Sequence, residues 1–283
     1  MSLFLGKLAN LLIAFVSSIL LIFNTSTLNE NANKIDLNDF ELTFEDEFEG
    51  DTLDTSVWRA HNSFGVRKGG YWSGNQVRVE DGNLIITTEY REDGEFGAGW
   101  YTSGISTQNN FEQTYGYFEC RCILPKGEGL WSAFWMTNPS VSKSEDGTAI
   151  NGAEIDVFES PYYNLGSNGN KVTSNIHYNG YSLNTKYSNV CITNLLNNPY
   201  EEYNTYGVLW TENEYIFYIN GYEIGRSDFG GVSQADEYLI LSCEVDGTDA
   251  TPQKGWSGII TNNDSDTFKA EFKVDYVRAY KAK

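Results

Sequence analysis

The densest set of chemically useful side chains in the sequence is one run, Ala153-Glu154-Ile155-Asp156-Val157-Phe158-Glu159-Ser160. In a regular strand Glu154 and Asp156 share one face, while Ile155 and Val157 turn to the other. Glu159 would then fall among the apolar side chains, where an unpaired carboxylate is costly to bury. One extra residue near Phe158, a β-bulge, returns Glu159 to the face of the other two. Three carboxylates then line one cleft. Like charges held together raise at least one pKa, which separates an ionised group from a protonated acid. Hydrolysis of a glycosidic bond with retention needs that division, with the two carboxyl groups about 5–5.5 Å apart. Even after the bulge, the outer Glu Cα atoms would stand about 13 Å apart along a flat strand, at about 3.3 Å per residue. The side chains must therefore lean inward over Asp156, and the strand must twist or bend. A solvated acidic face, or a calcium ligand set, fits the same alternation.

Other machinery is missing. The sequence holds no G-x-S-x-G, no H-E-x-x-H and no phosphate loop, and its two His leave little for a triad or a multi-histidine metal site. Against 39 acidic residues stand 19 basic ones in a chain of 283, a formal charge of −20. Such a field repels phosphate backbones and anionic membranes, so no nucleic-acid partner is expected. The 7 Trp, 19 Tyr and 16 Phe exclude disorder and point to strands, with rings to spare for a flat apolar ligand.

The elements that must position the acids read as short β-runs broken by Gly, Asn and Asp. Examples are NLIITTE (83–89), YGYFECRCIL (115–124), LWSAFWM (130–136) and YLILSCEV (238–245). Asn220-Gly221, between YIFYI and YEIG, is the strongest hairpin signal in the chain. No helical period persists, although 194–203 has room for one short turn. One all-β domain is predicted from about 39 to 283, a two-sheet sandwich or jelly roll. Residues 1–38 are set apart from it. Lys7 followed by the apolar run 11–23 has the form of a secretory signal, or of a membrane anchor if uncleaved, and a polar linker runs to residue 38. Either way the domain is expected outside the cell. Cys120 and Cys122 lie on one strand face and are poorly placed to bond each other; a disulfide from either needs Cys191 or Cys243.

GAEIDVFES (152–160) resembles the active-site strand of glycoside hydrolase family 16 in its bulged form, E-x-D-x-x-E. The resemblance extends, in the family's order, through FEDEFEG (44–50), LDTSVW (53–58), VRVEDGNLIIT (77–87), YGYFECRCILPKGEGLWSAFWM (115–136), WTENEYIFYINGYEIG (210–225) and VDYVRAYK (274–281). It implies a β-jelly roll of two antiparallel sheets with a concave cleft. Glu154 would be the nucleophile and Glu159 the general acid/base, with Asp156 between them tuning Glu154. The bulged form is similar to the laminarinase branch, and also to the agarase, carrageenase and endo-β-galactosidase branches. Two departures stand out: the loop SVSKSEDGTAINGAE (140–154) lacks a Trp-Pro pair, and Ser132 replaces a Pro in LWSAFWM.

The resemblance also suggests supporting roles. Trp131 resembles the family's sugar platform, and Trp135 shares its strand face; a place in the core is the other reading of each. Trp72 and Trp100 sit in Gly-rich loops, where an aromatic is either a ligand contact or core. His177 matches a family position near the leaving-group side, with a structural histidine as the alternative, and Asn75 is a candidate hydroxyl contact. His61 is expected to be structural. Asp275, with backbone carbonyls near Glu47 and Gly82, matches a family site for structural calcium, against a solvated Asp beside Arg278. The loop 262–266 is a second calcium candidate. The expected protein is an exported, monomeric, retaining endo-glycosidase acting on β-1,3 or mixed β-1,3/1,4 glucan, with no catalytic cofactor. A galactan hydrolase of the same family is the near rival, and a non-catalytic carbohydrate-binding module the distant one. No Arg or Lys cluster appears between Trp72 and Tyr181, so the polysaccharide should be neutral. The paired acids predict a bell-shaped kcat/KM on the acidic side of neutrality.

Overall fold

The predicted runs become strands, and the apolar members of each run close a shared core between two sheets. A computed structural model describes residues 25–63, 66–141, 146–166, 169–248, 256–261 and 267–283. The apolar segment 11–23 and the acidic loop 262–266 lie outside these residues. The front sheet runs Thr25–Thr27, Lys186–Asn194, Lys171–Tyr178, Glu154–Ser160, Leu130–Thr137, Glu237–Val245, Gly104–Ser106, Arg59–Ala60. The back sheet runs Tyr222–Ser227, Tyr215–Ile219, Asn204–Trp210, Gly116–Ile123, Lys269–Ala282, Asn83–Arg91, Gly99–Thr102, Tyr71–Trp72. Among the described residues the one helical element is a 3-10 turn, Gly74–Gln76. This is the jelly-roll sandwich expected, with one difference. Each sheet is mixed, because Thr25–Thr27 joins Lys186–Asn194 in parallel, as Tyr71–Trp72 joins Gly99–Thr102.

The acidic strand sits in the middle of the front sheet, and its apolar side chains hold it to the back sheet. Ile155, Val157 and Phe158 are buried in the core. The Phe158 ring meets Tyr206 at 4.3 Å and Phe272 edge-on at 6.2 Å, both from the back sheet. Burying a ring of that size contributes about 1.5–3 kcal/mol. The carboxylates thus ride on a floor that packing holds rigid.

At the hairpin, Asn220 (φ 52°) and Gly221 (φ 79°) both take the left-handed conformation that a type I′ turn demands. Residues 198–202 form a hydrogen-bonded turn and no helix, with the Glu201 and Glu202 amides both donating to the Asn198 carbonyl at 3.0 Å. Cys120 and Cys122 do share a face, and all four cysteines are buried thiols without a disulfide. Residues 25–38, expected as a linker, are instead laid on the sandwich. Leu28 enters the core, Lys34 bridges to Tyr222, and Glu223 donates its amide to the Asn33 carbonyl at 2.8 Å.

Candidate active site

The bulge falls in the acidic strand. On one side Trp135 lies opposite Asp156 and Phe134 opposite Phe158, which leaves Val157 as the extra residue. On the other side Asp156 faces Asn175 and Glu159 faces Thr173, so three residues of the acidic strand span two of its neighbour. This insertion sends Val157 and Phe158 to the core and brings Glu159 back to the face of Glu154 and Asp156. All three acids line one cleft with Trp131 and Trp135.

Their surroundings separate them. Burial, with Asp156 alongside, pushes the Glu154 carboxyl up to about 7, against the pull of His177 and the Tyr181 hydroxyl. Burial, then the charges of Asp156 and Glu154, holds Glu159 well above the carboxylate range, although the Asn175 amide and the Trp131 indole oppose this. Both carboxyls are thus raised, and Glu159 is the more deeply buried and faces the charges of both others. An asymmetry of this kind separates an ionised carboxylate from a protonated acid. The Asn175 side-chain amide donates to Oε2 of Glu159. Asn175 is fixed in turn by Asn189, whose amide donates to Asn175 Oδ1 at 2.8 Å. His177 lies directly across from Glu154, with Nε2 3.3 Å from Asp156 Oδ2 and 4.0 Å from Glu154 Oε1. Burial disfavours its charge, but Asp156 and Glu154 outweigh that and raise its pKa. It therefore stands beside Glu154 and Asp156.

The other predicted residues divide. Trp131 exposes part of its ring to the cleft, with Lys68 Nζ 4.0 Å above the ring and Trp256 edge-on at 5.4 Å. The Trp135 indole donates to Ser242 Oγ at 3.1 Å, so its ring is fixed in the cleft wall. Trp72 is buried, donates to the Cys243 carbonyl at 3.0 Å and carries the Arg67 guanidinium 4.0 Å over its ring. It supports a cleft residue without lining the cleft. Trp100 is 2% exposed and packs edge-on against Tyr90 and Phe268. Its loop turns the ring inward, so this tryptophan belongs to the core, not to a ligand. Asn75 is exposed on the 3-10 turn, outside the cleft lining. His61 pairs with Ser106 Oγ at 2.8 Å, a structural contact.

For calcium, the strand pairings bring the chain near Glu47, Gly82 and Asp275 to one edge of Lys269–Ala282. The Asp275 carboxylate, the one side-chain ligand of that set, is already engaged by an arginine. Asp275 Oδ2 lies 2.5 Å from the Arg121 guanidinium, and Glu47 takes both of its hydrogen bonds, 2.7 and 2.9 Å, from Arg278. In the cleft, Glu154, Asp156 and His177 also approach one another, but Tyr181 and the His177–Asp156 contact already engage them.

Several cleft residues carry no signal in the sequence. Arg67 and Lys68 precede the stretch Trp72–Tyr181, and both line the cleft. Arg67 meets Glu244 at 2.5 Å and Lys68 meets Asp246 at 3.6 Å. Glu244, opposite Trp131 on the next strand, is pushed up to about 7 by burial, against Arg67 and Lys68. Ser242 and Glu244 share one face of Glu237–Val245, and the pairing with Leu130–Thr137 turns that face to the cleft. Tyr181, from a loop, completes the wall.

A jelly roll with a bulged triad of carboxylates and aromatic walls defines a class, the two-carboxylate glycoside hydrolases. The family model described as beta-porphyranase A-D, GH16 domain, matches residues 41–282. The chain belongs to glycoside hydrolase family 16. It is 31% identical to the endo-1,3-1,4-beta-glycanase ExsH of Rhizobium meliloti over 73% of this chain and 40% of that protein. To EglC, an endo-1,3-1,4-beta-glycanase of the same organism, it is 32% identical over 74% of this chain and 40% of that one. The chain thus spans about two fifths of the length of these relatives. Among solved structures, the laminarinase catalytic domain of Thermotoga maritima superimposes with a TM-score of 0.69 at 24% identity, over 86% of this chain and 99% of that one.

Proposed function

We propose that this protein is a retaining endo-glycosidase that hydrolyses β-1,3 or mixed β-1,3/1,4 glucan. The observation that carries the reading is the bulge, which sets Glu154 and Glu159 on one cleft with unequal proton affinities. Glu154 attacks the anomeric carbon while Glu159 passes its proton to the departing glycosidic oxygen. The resulting glycosyl-enzyme is opened by water, from which Glu159 now takes a proton. Asp156, with His177 on it, lies between the two. Trp131 offers a flat ring to the CH-rich face of a pyranose, and Trp135 walls the same cleft. The named relatives are endo-1,3-1,4-beta-glycanases, which supports the linkage class. No metal is asked to take part. Export, resting on Lys7 and the apolar run 11–23, and a monomeric state belong to the same proposal.

Arg67 and Lys68 favour a second reading, a polysaccharide bearing negative groups, and the matching family model is named for a porphyranase. Both cations already face carboxylates, Glu244 and Asp246, so little positive charge is left over and the neutral substrate is favoured. Reducing-end release from laminarin, barley glucan, agarose and a sulfated galactan separates the readings. Faster cleavage of the sulfated polymer than of any neutral one would overturn the first.

A further inference from the structure

Tyr181 stands on the turn after Lys171–Tyr178, and its hydroxyl donates to Glu154 Oε2 at 2.5 Å. No strand delivers it. Two consecutive left-handed residues, Asn179 (φ 69°) and Gly180 (φ 79°), swing the chain over the cleft. The turn is then braced at both ends. Asn179 Oδ1 accepts the Gly147 amide at 2.7 Å, its Nδ2 donates to the Asn184 carbonyl at 2.9 Å, and the Thr185 hydroxyl donates to the Gly180 carbonyl at 2.8 Å. The residue as a whole is 56% exposed, yet its hydroxyl reaches inward to the acid. A side chain so exposed contributes little to the core, so its placement calls for another account.

We infer that Tyr181 is the positioning residue of the nucleophile, an inference that rests on Glu154 having that role. A carboxylate attacks with one oxygen, and the other needs a donor to hold the group in plane and ionised. Tyr181 supplies that donor to Oε2, which leaves Oε1 as the attacking atom. When the bond from Oε1 to the anomeric carbon forms and the glycosidic bond breaks, Oε2 becomes the carbonyl oxygen of an ester. The same hydroxyl still donates to it. No proton leaves Tyr181, whose acidity burial and the Glu154 charge both suppress. The proton for the leaving oxygen comes from Glu159.

The other charged and titratable groups around Glu154 do not replace this donor. Asp156 and Glu159 on its own strand, and Glu237 and Tyr238 on Glu237–Val245, oppose its charge or are opposed by it. His177 stands 4.0 Å off and is turned to Asp156, and Arg67 is turned to Glu244. Among the described residues only Tyr181 donates a hydrogen bond to the Glu154 carboxylate.

The test is Tyr181→Phe, which keeps the ring and removes the donor. In the substrate-free protein, the carboxyl carbon of Glu154, assigned with Glu154→Gln, is titrated by 13C NMR in both backgrounds. Its pKa should rise by about 0.5–1 in the variant, the worth of one hydrogen bond to a charged group. On laminarin, kcat should fall roughly 10-fold or more with KM nearly constant, and the acidic limb of kcat/KM should move up with the NMR value. An unmoved carboxyl titration, or a loss confined to KM, would overturn the inference and leave Tyr181 as a sugar contact. Glu154→Ala keeps the two readings apart. If it retains turnover, the nucleophile is misassigned; if it is dead while Tyr181→Phe behaves as wild type, only the role of Tyr181 fails.

Discussion

Replacing Glu237 with Gln should make the protein markedly less sensitive to alkaline pH. Glu237 opens the strand Glu237–Val245, is fully buried, and accepts the Ala153 amide on Oε1 at 3.0 Å, with the Ser233 side chain also beside the carboxyl. Burial is the main reason that its carboxyl is pushed up from 4.5 to about 8. The folded chain therefore keeps a proton that the unfolded chain has lost across this window. Stability contributed by that proton is fully present below about 4.5 and is lost as pH rises through about 8. At 1.36 kcal/mol per pH unit the loss is on the order of 4–5 kcal/mol. Gln has the same shape, its amide oxygen can accept from Ala153, and it does not titrate. Calorimetric melts of both proteins from pH 5 to 9 should nearly coincide at the acidic end. They should diverge with rising pH until the variant melts roughly 8–10 °C higher, at about 2 °C per kcal/mol for a chain of this size. Glu154, Glu159 and Glu244 are also raised and leave a residual slope in both proteins, so the difference between the curves is the reading that counts. Parallel curves would refute the reasoning.

Three further outcomes concern catalysis. Glu154→Ala should abolish turnover with little loss of folding, and azide should return a glycosyl azide of inverted configuration; with Glu159→Ala the product should be of retained configuration, both read by NMR. The acidic limb of kcat/KM should centre near pH 7, since Glu154 is pushed up to about 7 and must be ionised, with the fall on the alkaline side coming from Glu159; a maximum at pH 5 would contradict this. Trp131→Ala should lower kcat/KM by about one to two orders of magnitude, the loss of a stacking platform worth roughly 1–3 kcal/mol, and an unchanged value would remove it from the sugar site.

Legibility followed the range of the interactions. Alternation of polar and apolar residues is a local property, so the strands, the Asn220-Gly221 turn and the need for a bulge at Glu159 could be read from the sequence. The site walls depend on which strands become neighbours. Glu244 faces the cleft because Glu237–Val245 pairs with Leu130–Thr137, and Tyr181 reaches Glu154 through a turn whose course no periodicity encodes. Trp100 misled for the same reason. A Gly-rich loop often presents an aromatic to a ligand, but here the chain becomes the strand Gly99–Thr102 and turns the ring to Phe268. The acidic pH range expected from paired carboxylates ignored burial, which in this cleft is the largest influence on both Glu154 and Glu159.

The segment 25–40 bears on where this domain starts. The family match begins at residue 41, but among the described residues pairing with the sandwich is already present at Thr25. Thr25–Thr27 pairs with the outermost long strand of the front sheet, and 33–34 lie along the outermost strand of the back sheet. Ile35, Leu37 and Phe40 then cover Tyr117, Ile216 and Tyr218 on the back sheet. A chain cut at the border of resemblance would bare two rows of unpaired backbone groups and an aromatic patch, which are templates for edge-to-edge association between copies. The border drawn by shared ancestry marks what the family keeps in common. Among the described residues, pairing with the sandwich reaches some sixteen residues before that border, to the strand Thr25–Thr27 that shields an edge.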